Sequence, residues 1–240
     1  MGRRTIVRPA SNPPPKLNLQ PLDPAISFRS LAYRTLKQAI TEMDIYSHPE
    51  DIRLDERRLS QDLAISRTPV REAITILERE GFVRSTPRRG IFVVRKTKAE
   101  ILEMIAVWAA LESMSARFAA QNASDADLAA LREMFAEFRH EKPADHLSEY
   151  SDANIAFHQT IIRLGACKLI ADITGDLFIH MRAIRKVTIG QDNRAERSII
   201  DHMNIIESLA ARDAERAGRL VREHTFGLYA HIEKHGDFLG

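Results

Sequence analysis

LSQDLAISRTPVR, residues 59–71, carries the end of one helix, a break and the start of another. Asp55 is a plausible cap for the first helix, and Leu59, Leu63 and Ala64 form its inward face up to about Ala64. Ser66 then opens the second helix, its hydroxyl placed to accept from the free N–H groups of the first turn. Pro69 is tolerated in that turn because an N–H is not needed there. Arg67, Thr68 and Arg71 therefore point off the positive end of a helix, where exposed N–H groups and the dipole attract phosphate. Arginine also matches guanine O6 and N7 bidentately in a major groove. This is how a helix-turn-helix builds a base-reading edge.

The flanks extend the pattern. Phe28, Leu31, Leu36 and Ile40 recur at helical spacing from Ser27 to about Ile45. The reading helix runs from Arg67 to Glu80 on Val70, Ala73, Ile74 and Leu77, and Gly81 is its stop. Two β-like runs, Phe82–Arg84 and Ile91–Val94, flank STPRRG, where Pro87 and Gly90 fit a hairpin turn. Three helices and a hairpin make a winged helix-turn-helix over residues 26–95. Arg88, Arg89 and Gly90 form a basic tip suited to a minor groove or a phosphate, and Arg57 is placed to meet the backbone. Ahead of it, Pro9, Pro13, Pro14, Pro15, Pro21 and Pro24, with Arg3, Arg4, Arg8 and Lys16, predict a disordered basic arm over 1–25.

After Arg95 the pattern is helical alone. Thr97 with Glu100 makes a capping box for a helix to about Gln121. Ser124 opens another to about Glu141, which Pro143 breaks, and further helices are predicted at 146–164, 167–188, 194–211 and 213–234. The fold class is mainly α: the winged domain followed by an all-α, six-helix bundle over residues 96–236.

Charge agrees with this division. The chain has 240 residues and a net charge of +2, yet residues 1–95 hold 17 Lys+Arg against 11 Asp+Glu, and the remainder 18 against 22. A basic front and a mildly acidic back suit an anionic partner at the front. No run approaches the roughly 18 apolar residues of a membrane span, and no secretory h-region opens the chain. Cys167, the single cysteine, excludes an internal disulfide framework and fits a reducing cytoplasm.

Three of the nine histidines stand out. Asn154 and His158 are four apart and share a helix face. His202 lies early in one helix and His224 late in the next, so an antiparallel pair brings both to one depth. Three imidazoles and an amide oxygen converging there would suit a divalent metal, although helix histidines are often only hydrogen-bonded.

ERRLSQDLAISRTPVREAITILEREGFVRSTPRRGIFVV closely resembles the winged helix-turn-helix of the GntR family of bacterial transcription regulators. The resemblance implies DNA contacts at Arg57, Ser66, Arg67, Thr68, Arg71, Arg89 and Gly90, with Arg67 and Arg71 on bases. Residues from about Thr97 to His231 look like the helical FCD effector domain of the FadR subfamily. That resemblance implies a cavity with Asn154, His158, His202 and His224 as ligands to zinc, nickel or another divalent ion, and no organic cofactor. Two departures stand out. Asn154 replaces a common Asp and removes a negative charge from the ligand set. Trp108 opens WAALE where relatives carry an arginine that grips the effector's carboxylate. Either the metal and another arginine such as Arg182 or Arg185 take over that task, or a less acidic effector stacks on the indole; Trp108 reads equally well as a core aromatic.

The expectation is a cytoplasmic, effector-controlled regulator with no enzymatic activity. It binds a palindromic operator as a homodimer, acts as a repressor, and answers to a small carboxylate metabolite. A metalloenzyme using the histidine cluster is the second reading, against which stand the lack of HExxH and of a general base. A non-specific architectural DNA binder is the third.

Overall fold

A computed structural model describes residues 27–47, 50–139 and 143–239; the arm anticipated over 1–25 lies outside them. The winged part comprises α1 (Phe28–Glu42), β1 (Arg53–Leu54), α2 (Glu56–Asp62), α3 (Arg67–Arg79), β2 (Val83–Thr86) and β3 (Gly90–Val93). Leu36 and Ile40 of α1 pack with Val70, Ala73, Ile74 and Leu77 of α3 and with Phe82, Val83 and Val93 in one apolar core. The sheet order is β1-β3-β2, antiparallel throughout. β1, two residues paired to Phe92 and Ile91, is too short to show in a sequence pattern.

Local chemistry sets the boundaries. Asp55 caps α2 by accepting from the N–H groups of Arg57 and Arg58. α3 ends with Gly81 at φ +79, with Gly81 N–H bonded to Glu78 and Phe82 N–H to Leu77, a Schellman stop that needs a residue free to adopt the left-handed region. One expected cap is absent. Ser66 makes no capping bond through its hydroxyl, because the third helical position, a usual donor, is Pro69 and has no N–H.

The second part is the six-helix bundle: α4 (Lys98–Asn122), α5 (Asp125–Glu133), α6 (Leu147–Leu164), α7 (Lys168–Thr188), α8 (Arg194–Ala210) and α9 (Ala214–His235). Capping boxes at Thr97–Glu100 and Ser124–Asp127 are closed in both directions. α5 is shorter than expected. It ends at Glu133, and a 3₁₀ turn at Glu137–Arg139 buries Phe138 against Tyr150 in place of a continued helix. Alanine-rich α4 runs through the centre, its Ala109, Ala116 and Ala119 fully buried. Among the described residues, no helix is long and apolar enough to cross a membrane.

The two parts meet where the end of α1 touches α7. Tyr46 Oη lies 2.7 Å from His180 Nδ1 and accepts from the Lys96 N–H at 3.1 Å. Arg182 donates to the backbone carbonyl of Glu42 at 2.9 Å, and Lys186 pairs with Asp44 at 3.1 Å.

Candidate functional site

Two sites emerge, one exposed and one buried. The exposed one is a groove of about 660 Å³ bordered by Arg57 of α2, Arg67 of α3, and Arg88, Arg89 and Gly90 of the β2–β3 turn. The turn forms because the Arg89 N–H closes onto Thr86 O, with Pro87 second and Arg88 third at φ +63. Gly90 follows at φ +117, and a Cβ there would stand 2.8 Å from Arg53 Nε. Arg57, Arg67, Thr68 and Arg89 are all exposed. Arg71 is on the same face but engaged, its Nη2 2.9 Å from Glu56 Oε2. Exposed ion pairs contribute roughly 0–1 kcal/mol, so a phosphate or base can replace Glu56.

The buried site lies among α4, α6, α7, α8 and α9. It brings together His158, His202 and His224, with Asn154 one turn before His158 on α6: Asn154, His158 and His202 are at most 2% exposed, and the His224 side chain is 8% exposed. The rings of His158, His202 and His224 have centroids 4.7–5.4 Å apart. One ligand nitrogen from each lies within 4.8 Å of the others. Phe135 and Phe157 pack on His202 at 4.9 and 4.3 Å.

Two groups complete the site. Glu112 of α4 is fully buried. It accepts from Trp108 Nε1 at 2.8 Å, from Thr225 Oγ1 at 3.2 Å, and from His158 Nδ1 at 2.5 Å. Arg185 of α7, also buried, places Nη1 2.6 Å from His158 Nε2 and Nη2 3.9 Å from Glu112. A guanidinium only donates, so His158 is neutral with its proton on Nδ1, held at both ends. Burial pushes Glu112 up, while Arg185 and the Trp108 donor pull it back toward the carboxylate. Burial lowers Arg185 to about 10, still cationic at neutral pH. Burial also holds His158 and His202 well below the ordinary histidine range; His224 moves the same way, opposed by Asp201 2.9 Å from its Nδ1.

These residues fit a divalent metal. Glu112 and Asp201 orient His158 and His224 through Nδ1, as carboxylates behind metal-binding histidines do. Asn154 Oδ1 is buried without a hydrogen-bond partner, an orphan a cation would satisfy. Arg185 must first leave the lone pair of His158 Nε2.

The expected effector contacts divide. Arg185 is in the site. Arg182 is not: one turn earlier on α7, it faces the end of α1 and serves the junction. Trp108 borders the cavity through Glu112, its indole N–H engaged by that carboxylate, and its ring lies 6.5 Å from Phe178. It is a core aromatic that positions Glu112. Glu112 escaped the sequence reading, although a single carboxylate in the apolar run AVWAALESMSA, four residues after the only tryptophan, signals it.

Comparisons with known proteins agree with both halves. Residues 103–226 match the FCD domain and residues 31–93 the bacterial regulatory proteins of the gntR family. The HTH-type transcriptional repressor RspR of Escherichia coli (strain K12) is 24% identical over 85% of this chain and 88% of its own. The Nta operon transcriptional regulator of Aminobacter aminovorans is 28% identical over 77% and 83% respectively. The solved structure of E. coli McbR/YncC superposes with a TM-score of 0.71 at 21% identity, covering 88% of this chain and all of that one. The chain therefore belongs to the GntR family, as a transcription regulator, not an enzyme, that joins a winged helix-turn-helix to an FCD effector domain.

Proposed function

We propose that the protein is a cytoplasmic repressor that binds a palindromic operator as a homodimer and is controlled by a carboxylate metabolite entering the histidine cavity. The observation that carries this is the cavity's charge. Asn154, His158, His202 and His224 are neutral ligands, and Glu112 offsets only Arg185. A dication bound there keeps a net positive charge in a low-dielectric interior, which an anionic ligand neutralises. The carboxylate completes the coordination or pairs with Arg185, and Arg185 is free to do so only by leaving His158.

On the DNA side, Arg67 and Arg71 read bases, while Arg57, Ser66, Thr68, Arg89 and Gly90 hold phosphates. Two reading helices require two chains. An exposed apolar face supports dimerisation: Val107 and Met114, seven apart on α4, and Leu169 and Ile173, four apart on α7, with Val107 and Ile173 bordering one hollow. The repressor reading draws on the relative RspR. α7 links input to output, since Arg185 lines the cavity and Arg182 holds the end of α1.

The test is fluorescence anisotropy at fixed salt on a DNA site recovered by selection from random sequence, with and without a panel of small carboxylates. The expected result is two chains per site and roughly 10³-fold or greater preference over scrambled DNA. One carboxylate should weaken binding about 5- to 150-fold. Equal affinity for scrambled DNA would establish a non-specific binder instead.

A further inference from the structure

A second cluster of ligand atoms lies away from the buried trio and shares no residue with it. His231 and His235 are four apart on α9, and Asp192 belongs to the connection between α7 and α8. One donor atom from each lies within 4.8 Å of the other two. We infer that Asp192, His231 and His235 form a divalent-cation site of the zinc class, open to solvent at the rim of the effector domain.

Three observations carry it. The first is distance. Asp192 Oδ2 lies 3.6 Å from His231 Nδ1 and 3.2 Å from His235 Nε2. Tetrahedral zinc with ligands at about 2.0–2.2 Å sets its donor atoms about 3.3–3.6 Å apart. The second is tautomer. His231 Nε2 lies 2.7 Å from Gln191 Oε1. An amide oxygen only accepts, so Nε2 carries the proton. In the neutral ring the Nδ1 lone pair then faces a carboxylate oxygen across 3.6 Å, acceptor toward acceptor. A cation between them removes that repulsion, and Gln191 then serves as the partner that orients a metal-bound imidazole. The third is access. His231 is buried, while His235 and Asp192 are partly exposed, which leaves the remaining coordination positions to water or an incoming anion. Arg194 and Arg197 border the same cleft, as do His224 and Asp201 on the outer side of the buried trio. A cation here ties the α7–α8 connection to the last turns of α9, along the cleft that His224 also borders.

The experiment is a Zn²⁺ or Co²⁺ titration of full-length, tag-free, chelator-stripped protein, counting bound equivalents by equilibrium dialysis. The wild type is compared with His235→Ala, Asp192→Asn and His202→Ala. The expected result is that His235→Ala and Asp192→Asn each bind one equivalent fewer than the wild type. His202→Ala keeps that equivalent whether or not it loses one of its own, so failure of the buried site and failure of this one are distinguishable. With Co²⁺, the intense visible band of a tetrahedral ion should shrink in the two rim variants. His235 ends its helix and Asp192 lies in a connection, and melting curves check that both variants fold. If both rim variants bind as many equivalents as the wild type, with unchanged affinity, the site does not exist.

Discussion

The DNA-reading face and the histidine cavity are both built from polar side chains, but under opposite conditions. Arg57, Arg67, Arg88 and Arg89 stand in water, and none is needed to hold the fold. Glu112, Arg185, Asn154, His158 and His202 lie in the core, where each polar atom must be matched or costs stability. The face is a surface with a function added. In the cavity, the groups that would hold a ligand also hold the fold. Mutations should therefore separate them cleanly: one set changes DNA affinity at constant stability, the other changes stability and ligand response together.

Glu112→Ala breaks the contrast most forcefully. It leaves Arg185 as a buried, uncompensated cation and frees Trp108, Thr225 and His158 of their acceptor. A loss of about 3–5 kcal/mol is expected, read as a large fall in Tm. A variant that melts like the wild type would show that Arg185 reaches water without its partner. Arg67→Ala works on the other region. Operator affinity should fall by about 1–3 kcal/mol and base preference should relax, while Tm moves by less than about 0.5 kcal/mol equivalent. An equal loss on every sequence would place Arg67 on phosphate.

Acid sharpens the comparison further. In an unfolded chain histidine titrates near 6.5; folded His158 and His202 lie well below that, and His180 at about 4. Between the two values the unfolded chain binds more protons, so acid favours unfolding. Their stabilisation is complete above about pH 6.5 and is lost as pH falls toward the folded values, by up to about 1.4 kcal/mol per pH unit for each group. The check is Tm from pH 7.5 to 5, which should drop steadily. A flat profile would mean that these rings are protonated in the folded protein.

The same contrast explains what the sequence made legible. The reading face is local: caps, Pro69, the Gly81 stop and the basic hairpin tip fall within consecutive residues, so spacing alone displays them. The cavity is assembled by packing five helices. Asn154 and His158 could be paired by their shared face, but the meeting of His202 and His224 with them rested on family resemblance as much as on spacing. Glu112 was missed because the apolar run around it marks only its burial; its role appears once its partners from α6, α7 and α9 are known. Arg182 was expected near the ligand as an alternative to Arg185 for the arginine missing at Trp108. The rotation of roughly 60° between such positions is enough to turn one guanidinium to the cavity and the other to α1. Ser66 shows a limit of rules applied singly: a good cap residue followed by a proline at the donor position makes no capping bond.

That small rotation on α7 also sets the mechanical gearing of the molecule. Arg182 and Arg185 are separated by about 4.5 Å along the helix axis, so the buried site and the junction with α1 are served from almost the same segment of one helix. One extra residue between the two arginines would turn one against the other by about 100°, so that the buried site and the junction with α1 could not both keep their arginine.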